Sequence, residues 1–482
     1  MRTTISFPWI LPPPPRPAPQ FSVPTLSSSA ATPQLLVARW IMFLSVMSAI
    51  GLLVLRLAIA RPAARIGRPD ATVPAKTAPA TTAPATSVLR ALTRATIAAT
   101  AIGLIAIPVY LDFAIAEDSL RSVLDLGALV PLYWVTAFGR GYVDLELCFA
   151  LFAFATGVAL WVDRPERPRR SVAELAAGTG VVAAIAAVLL VPAAVGHAGQ
   201  TSPRGLSVAF DSVHLLAGSV WIGGLIGLLV LWHATGPERR VPVLGVVIPR
   251  FSVLALTAVI ILLASGTGAT VVHMPALNAL WDTSYGVAIL VKIGLLTLAV
   301  ALASGNLLRT RPRLAAAGRD AAGAVTAGRL LRRLVSGEAI LVTGAVFTAA
   351  VLSSLAPPPP AFALGDSALA HVGPGRVAAT VNRAGYRLQV LVAPNKAAAP
   401  DDFALRITRG GTPVRGAMVT LAFNHLQMEM PQQTYALREV APGVYRRSAP
   451  ALIMVGPWSL AFSIAPPARR PFTALIVDQA DG

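Results

Sequence analysis

Eight long apolar segments constrain the fold of this chain more than any other feature. Each has at least the roughly 20 residues that an α-helix needs to cross the hydrocarbon core of a bilayer. Because lipid offers no partners to backbone N–H and C=O groups, such segments must be helical. The sequence therefore predicts an all-α polytopic membrane bundle of about eight helices. The predicted spans are Leu35–Ala60, Arg94–Ala116, Tyr142–Trp161, Val172–Val195, Leu206–Trp232, Phe251–Val272, Gly286–Leu308 and Leu334–Leu355.

The composition agrees with a membrane protein and argues against a nucleic-acid partner. Of the 482 residues 55% are hydrophobic and 13% are charged, whereas soluble proteins average about 25% charged residues. The net charge is +18, but the arginines lie between apolar segments and are not interleaved with aromatic residues, as a base-stacking surface would require. Cys148 is the single cysteine, which excludes an intramolecular disulfide and CxxC chemistry.

The arginines also predict the orientation of the helices. Alternate loops are rich in arginine, and the loops between them carry few or no basic residues, so the basic loops are expected on the cytoplasmic side. Both termini then lie outside the plasma membrane of a bacterial cell. The basic loops carry Arg61, Arg65, Arg68, Lys76 and Arg90; Arg164, Arg167, Arg169 and Arg170; Arg239 and Arg240; and Arg309, Arg311, Arg313, Arg319, Arg329, Arg332 and Arg333.

The segment Glu117–Gly141 is apolar enough to suggest a ninth span. A ninth crossing would reverse the sidedness of every later basic loop, so we interpret the segment as an external loop. Its Thr136-Ala-Phe-Gly139 resembles Thr283-Ser-Tyr-Gly286, and an apolar helix is predicted after each. This weak internal repeat indicates a duplicated helix–loop–helix unit.

The last part of the chain changes to strand patterns. Alternating apolar residues, as in Trp458-x-Leu460-x-Phe462, predict roughly seven short strands in a small extracytoplasmic all-β Ig-like sandwich. The predicted organisation is a disordered proline-rich N-terminus at 1–33, a first membrane helix at 34–61, a cytoplasmic Pro/Ala/Thr linker at 62–92, a membrane domain at 93–310, a basic loop and last helix at 311–356, a proline-rich linker at 357–375 and the sandwich at 376–482.

The stretch Val191–Trp232 brings two histidines into the membrane region. His197 follows one apolar run and is expected at the membrane–water boundary, whereas His214 lies about 12 Å inside the next helix. Ser207, Asp211, Gly218 and Trp221 share a helical face with His214. Because an imidazole and a carboxylate are costly in lipid, this face should point into the bundle and form a binding site.

Other residues near the same side extend this prediction. His273 and Met274 fall at the external end of a span, and Lys292 lies about 10 Å inside another. Lys292 needs a partner, for which Asp211, Asp144 and Glu146 are candidates, unless it extends to the interface. The small residues Ser265-Gly-Thr-Gly268 and Gly223-Gly224 are typical of close helix packing. His233 is expected at the cytoplasmic interface.

A second candidate metal site lies in the β domain. His425, Met428 and Met430 supply an imidazole and two thioethers within six positions. Thioether sulfur is a soft ligand that favours Cu(I), while additional nitrogen ligands favour Cu(II). The alternative is that both methionines fill gaps in the core of the sandwich.

These motifs resemble the CopD family of bacterial copper-resistance membrane proteins. The resemblance runs over roughly Arg94–Arg309 and rests on His197-Ala, Asp211-Ser-Val-His214, Trp221-Ile-Gly-Gly224, Arg250-Phe-Ser252, Ser265-Gly266, Thr283-Ser-Tyr-Gly286, Lys292 and Asn306. It implies copper movement or delivery across the plasma membrane, with His197 and His214 as candidate ligands. The β domain, with its His425-x-x-Met428-x-Met430 and Gly456-Pro-Trp458, is similar to YtkA-like domains. A CopC-type chaperone domain, present in fused members of the family, is not recognisable.

The sequence thus predicts a copper-handling transport protein that is not an enzyme and has no P-loop. The expected metal ligands are His197, His214, His273, Met274, His425, Met428 and Met430, with Asp211 and Lys292 forming a polar network. The expected partners are copper, the lipid bilayer and an extracytoplasmic copper chaperone or respiratory oxidase. Two alternatives stay open: a haem- or quinone-binding redox protein using paired histidines, and an assembly factor that metallates an oxidase.

Overall fold

The computed structural model describes most of the chain in two compact units. The described residues are 31–66, 82–119, 121–165, 169–195, 204–274, 277, 279–310, 312, 321–355, 370–425 and 433–481. The helical unit contains Ala31–His273 and Ala288–Ser354, and the other unit contains Met274–Val287 and Leu355–Gly482. The predicted disordered segment 1–33 lies almost entirely outside the described residues, as do much of the two linkers predicted at 62–92 and 357–375.

Among the described residues, eight helices are long and apolar enough to cross a membrane, which confirms the predicted number of spans. The helices are α1 Pro33–Val54, α2 Arg61–Ile66, α3 Thr82–Asp118, α4 Leu126–Val135, α5 Ala137–Val162, α6 Val172–Val195, α7 Arg204–Ala234, α8 Pro237–His273, α9 Ala279–Asp282, α10 Ser284–Gly305 and α11 Ala321–Leu352, with π-helical segments at Leu55–Ala60 and Asn306–Thr310.

Several helices begin earlier than their apolar spans. Helices α3, α8 and α11 start about three to four turns before the predicted membrane segments. As a result, part of the linker predicted at 62–92 is helical, in α2 and in the first turns of α3. Hydropathy marks the part of a helix that lies in lipid, and a helix can continue into water beyond it.

The candidate ninth span is the short helix α4, which has 10 residues and cannot cross a bilayer alone. Its end reproduces the predicted repeat. The N–H of Gly139 donates to Thr136 Oγ1 at 2.9 Å, and the N–H of Gly286 donates to Thr283 Oγ1 at 3.0 Å. A Cβ on Gly139 would lie 2.7 Å from Tyr133 O, and one on Gly286 would lie 2.1 Å from Ala279 O. In both copies the threonine caps the next helix, and the glycine allows the preceding short helix to pack against it.

Helix α7 is the central element of the helical unit. Its most apolar window is 72% buried, more than that of any other described span. It packs closely on α1, because a Cβ on Gly223 would lie 2.5 Å from Gly51 Cα. A Cβ on Gly224 would collide with the ring of Phe251 in α8 at 2.1 Å. The small residues predicted to permit close packing therefore do so at Gly223 and Gly224.

The C-terminal domain is all-β, as predicted, and its described residues form ten strands instead of roughly seven. β7 pairs with both β6 and β8, so the two halves of the domain form one continuous sheet in the order β1-β10-β9-β6-β7-β8-β4-β3-β2, with β5 beside β4. The strands are β1 Ala370–Val372, β2 Val377–Arg383, β3 Tyr386–Ala393, β4 Asp401–Arg409, β5 Thr412–Pro413, β6 Met418–His425, β7 Gln433–Ala441, β8 Val444–Ala449, β9 Gly456–Ala465 and β10 Phe472–Ala480.

The inward residues of these strands alternate and form one core. Phe403, Phe423, Trp458 and Phe462 are each at most 2% exposed within it. Because side chains in a strand alternate between faces, this burial follows directly from the period of two in the sequence. The sheet fixes β6 against β9 and pairs His425 with Trp458 across the two strands.

We expect Gly223→Ala to destabilise the helical unit, because its methyl group meets the backbone of α1 and the two helices must separate. Overpacking of this kind costs about 1–3 kcal/mol. The measurement is thermal unfolding of the purified protein in detergent. Gly157→Ala in α5 is the matched control, since nothing lies within 4 Å of its Cβ position. Equal unfolding temperatures for the two variants would contradict the close contact.

Candidate polar site in the membrane helices

Three membrane helices place polar side chains at a similar depth. His214 lies nine residues into the α7 span and Lys292 eight residues into the α10 span, about 14 and 12 Å from the span ends. Ser265 lies six residues before the end of the α8 span, about 9 Å from it. Because successive spans alternate in direction, these three ends fall on the same side of the bundle. The contacts of His214 with Ser265 and Lys292 agree with the prediction that His214 faces the bundle interior.

Both ring nitrogens of His214 have partners. Nδ1 lies 3.2 Å from Ser265 Oγ, and Nε2 lies 3.3 Å from Lys292 Nζ. Ser265 Oγ donates its own hydrogen to Ile261 O at 2.7 Å, so it accepts from His214 Nδ1–H. A lysine ammonium has only donors, so Nε2 must be the acceptor. These bonds assign a neutral imidazole with its proton on Nδ1.

Lys292 is held by a base and by an acid. Besides its contact with His214, its ammonium interacts electrostatically with Asp211. Asp211 precedes His214 by almost one helical turn, so both residues lie on the side of α7 that faces Lys292. Of the three predicted partners, Asp211 is the one whose charge acts on Lys292. An ammonium paired with a carboxylate and an imidazole is much less costly in a bilayer than an isolated one.

Two glycines of α8 make room for the side chains of α7. A Cβ on Gly266 would lie 3.1 Å from His214 Cε1, and a Cβ on Gly268 would lie 2.8 Å from the ring of Phe210. The Ser265–Gly268 patch therefore does more than let helices approach. It supplies both the hydrogen-bond partner and the space for the His214 ring.

Within the described residues, no group of three or more His, Cys, Asp and Glu is arranged to hold a metal ion. His214 is the one described histidine among the predicted membrane ligands. His197 lies outside the described residues, and so does the side chain of His273. Met274 is half-buried and belongs to the other compact unit. The predicted ligand set of the membrane site therefore stays a prediction, apart from the position of His214.

The other membrane histidine that the structure describes takes no part in this site. His233 is exposed near the end of α7, and its Nδ1 lies 2.7 Å from Leu229 O. It stands 19 residues from His214 on the same helix, about 28 Å away along the axis. This location agrees with its predicted interfacial position.

In the β domain, His425 is buried at the end of β6. Its ring meets Trp458 edge to face at a centroid distance of 4.9 Å, and its Nε2 donates to Val455 O at 3.3 Å. Burial lowers the pKa of His425 below its ordinary value, so the imidazole is neutral at neutral pH. Because Nε2 carries the donated hydrogen, Nδ1 is the nitrogen with the lone pair that a metal needs.

The remaining ligands predicted for the β domain, Met428 and Met430, lie outside the described residues, which resume at Gln433. Met418 is 75% exposed at the opposite end of β6 and Met454 is 37% exposed. Met454 O accepts a hydrogen bond from Trp458 Nε1 at 2.9 Å. The described part of this domain thus shows the position of one predicted ligand, His425, beside the backbone that follows Met454.

The sequence interpretation missed a buried ion-pair cluster at the other ends of the helices. Arg61, treated as a loop arginine, is only 1% exposed and pairs with both Asp163 and Glu174. Arg56 also pairs with Asp163, at 2.7 Å. The signal was present, because Arg56 lies inside an apolar run and a charge there needs a partner. Two cations and two carboxylates join α5 and α6 to the chain that follows α1.

A second missed residue is Glu338, an acidic residue within the last span. It is 3% exposed, and its Oε1 accepts a hydrogen bond from Trp221 Nε1 at 2.8 Å. Trp221 had been placed on the same face of its helix as His214, and this face does meet α11. A carboxyl inside an apolar helix was again the available signal.

Comparison with known proteins supports the family resemblance. The model of the family described as copper resistance protein D matches residues 245–352, which starts later than the predicted resemblance and continues through the last span. The copper transport protein CutJ of Bacillus subtilis (strain 168) is 27% identical over 277 residues, covering 57% of this chain and 47% of that protein. The chain thus aligns with about half the length of this curated relative. No solved structure matches the chain.

We expect nitrogen NMR of ring-labelled histidine in the full-length protein to show His214 with its proton on Nδ1. Ser265→Ala removes the acceptor of that proton and should shift mainly the Nδ1 signal, whereas Lys292→Met should shift mainly the Nε2 signal. His233→Ala identifies the signals of the exposed histidine and should leave those of His214 unchanged. A His214 proton on Nε2 would contradict the assigned contacts.

Proposed function

We propose that this CopD-family membrane protein binds copper and passes it across or into the plasma membrane, with His214 as a ligand at the membrane site. The observation that carries the proposal is a neutral imidazole held inside the bilayer between Ser265 and Lys292. The similarity to a copper transport protein supports copper as the cargo.

Copper would enter the site at the position that Lys292 now holds. His214 Nε2 is a borderline-soft nitrogen ligand that suits both oxidation states of copper. Its lone pair is directed at the ammonium, so a bound copper ion and the hydrogen bond from Lys292 exclude each other. The carboxylate of Asp211, which acts electrostatically on Lys292, would balance part of the charge of either cation. Lys292 in this scheme is a resident cation that keeps the empty site neutral.

The β domain would capture copper before the membrane site receives it. His425 offers Nδ1, and Met428 and Met430 offer the thioethers that favour Cu(I). The arginine-rich loops put this domain outside the cell, on the side where His214 is nearest the surface. Capture outside followed by transfer to His214 predicts inward movement, or delivery to an acceptor in the membrane such as a respiratory oxidase.

A haem protein is the alternative of a different class, and the described histidines do not favour it. His214 and His233 lie about 28 Å apart on one helix and cannot ligate the same iron. A haem site would have to use His197 or His273, and it would give a visible absorption spectrum.

The first test measures metal content and absorbance of the purified full-length protein. We expect wild type to retain copper, His214→Ala to lose the membrane-bound part, and Met428→Ala with Met430→Ala to lose the part bound by the β domain. His233→Ala is the control and should bind copper as wild type does. A Soret band that disappears in His214→Ala, without bound copper, would replace this proposal with a haem protein.

We further expect Lys292→Met to bind Cu(I) more tightly than wild type. The variant removes a hydrogen bond to a charged donor, which contributes about 1.5–3 kcal/mol, so the affinity should rise about 10- to 100-fold. Lys396→Met is the control, because Lys396 is exposed on the β domain. The measurement is competition with a chelator of known affinity. Unchanged or weaker binding in Lys292→Met would show that Lys292 does not compete with copper.

A further inference from the structure

Glu338 and Trp221 form an isolated polar contact between α11 and α7. Glu338 is 3% exposed and Trp221 is 1% exposed. The indole Nε1 donates to Glu338 Oε1 at 2.8 Å. Neither residue contacts the His214 site, and the sequence resemblance assigns no role to Glu338.

The contact lies near the middle of the membrane. Glu338 stands 12 residues from the start of its span at Thr326 and 14 from its end at Leu352, about 18 and 21 Å. Trp221 stands 16 residues from Gly205 and 13 from Ala234, about 24 and 20 Å. Glu338 therefore lies near the middle of its span.

Glu338 forms none of the ion pairs found in the described part of the chain. The elements packed on α11 are α1, α7, α8, α10 and the π-helical segment Asn306–Thr310. The described charged and titratable side chains of these elements interact with other groups or are exposed. Arg39 contacts Tyr110 and Ser354, Asp211 acts on Lys292, and His214 contacts Lys292 and Ser265. His233 contacts Leu229 O, Arg240 contacts Trp232, Arg250 contacts Val246 O, and Arg309 is exposed.

An ionised carboxylate without a counter-cation is very costly in a medium of low dielectric constant. One indole N–H does not offset that cost. We therefore infer that the carboxyl of Glu338 is neutral and holds a proton near the middle of its span. Such a group can become an anion only if a cation arrives beside it.

We propose that Glu338 is a proton-carrying carboxyl which exchanges its proton for the copper ion during transport. The O–H bond of the carboxyl breaks, the proton leaves to water, and the remaining carboxylate is balanced by Cu(I), so that one positive charge replaces another. Trp221 positions Oε1 throughout the exchange. The identity of the cation in this proposal rests on the proposed function. The inference that Glu338 carries a proton does not depend on that function.

The face of α7 connects the two sites. Trp221 follows His214 by seven residues, which puts it on the same face and about 10 Å deeper. A cation that leaves His214 along this face therefore meets Glu338 next. The carboxyl of Glu338, once ionised, supplies the negative charge that an imidazole lacks. The proton that it releases moves in exchange for the cation.

The proton is tested first, by infrared difference spectroscopy of the full-length protein in lipid. Wild type should show the C=O band of a protonated carboxylic acid that is absent in Glu338→Gln and shifted in Trp221→Phe. Asp144→Asn, which alters an exposed carboxylate on α5, should leave the band in place. Absence of a Glu338-dependent acid band in wild type overturns the proposal.

The exchange is tested in proteoliposomes that contain a trapped pH indicator, with Cu(I) kept reduced by ascorbate. In wild type, protons should move in the direction opposite to copper. Glu338→Gln should remain folded, but its proton movement should fall to the level of protein-free vesicles. Asp144→Asn should behave as wild type. Equal copper and proton movement in wild type and Glu338→Gln overturns the exchange and leaves Glu338 a structural residue.

Failure of the proposed function gives a different result. If wild type moves no copper but its Glu338 band disappears when other monovalent cations are added, the carboxyl exchanges its proton with a different cargo. In that case the proposed function is wrong and the proton-carrying role of Glu338 is supported. If the band persists with every cation, the proposal fails together with the function.

Discussion

The cost of placing charge in hydrocarbon explains the partners of the buried charged residues on α7, α10 and the chain after α1. That cost is several kcal/mol for an unpaired side chain, so each group needs a partner or a proton. The described bundle meets this requirement at three levels. His214, Lys292 and Asp211 compensate one another on one side, and Arg56 and Arg61 are neutralised by two carboxylates on the other. Glu338 lies between them and accepts a hydrogen bond from Trp221.

Helix α7 contributes a residue to two of these levels, His214 at the first and Trp221 at the level of Glu338. Its glycines let α1 and α8 approach its backbone, at Gly51 and Phe251. Close packing on both sides fixes the rotation of α7 and directs the His214–Trp221 face toward α10 and α11. The same small residues therefore determine helix packing and the direction of the polar face. Rotation of α7 by a quarter turn would expose an imidazole to lipid.

The described geometry also gives the membrane site a specific electrostatic character. It contains one imidazole, one ammonium and one carboxylate, and no preformed cage of metal ligands among the described residues. A site of this kind suits a cation that passes through better than one that stays, because weak and replaceable ligands permit release. The β domain differs, since a buried, neutral His425 beside Trp458 belongs to a rigid sheet.

The sequence alone determined the number of spans, the all-β C-terminal domain and the interior position of His214, because length, hydropathy and period are local properties of the chain. The sequence left three partners open for Lys292, treated Arg61 as a loop residue and overlooked Glu338. Those assignments depend on which helices are neighbours and how each is rotated. Only tertiary packing determines that, because a buried charge is stabilised by whichever residue stands opposite, however distant in the chain.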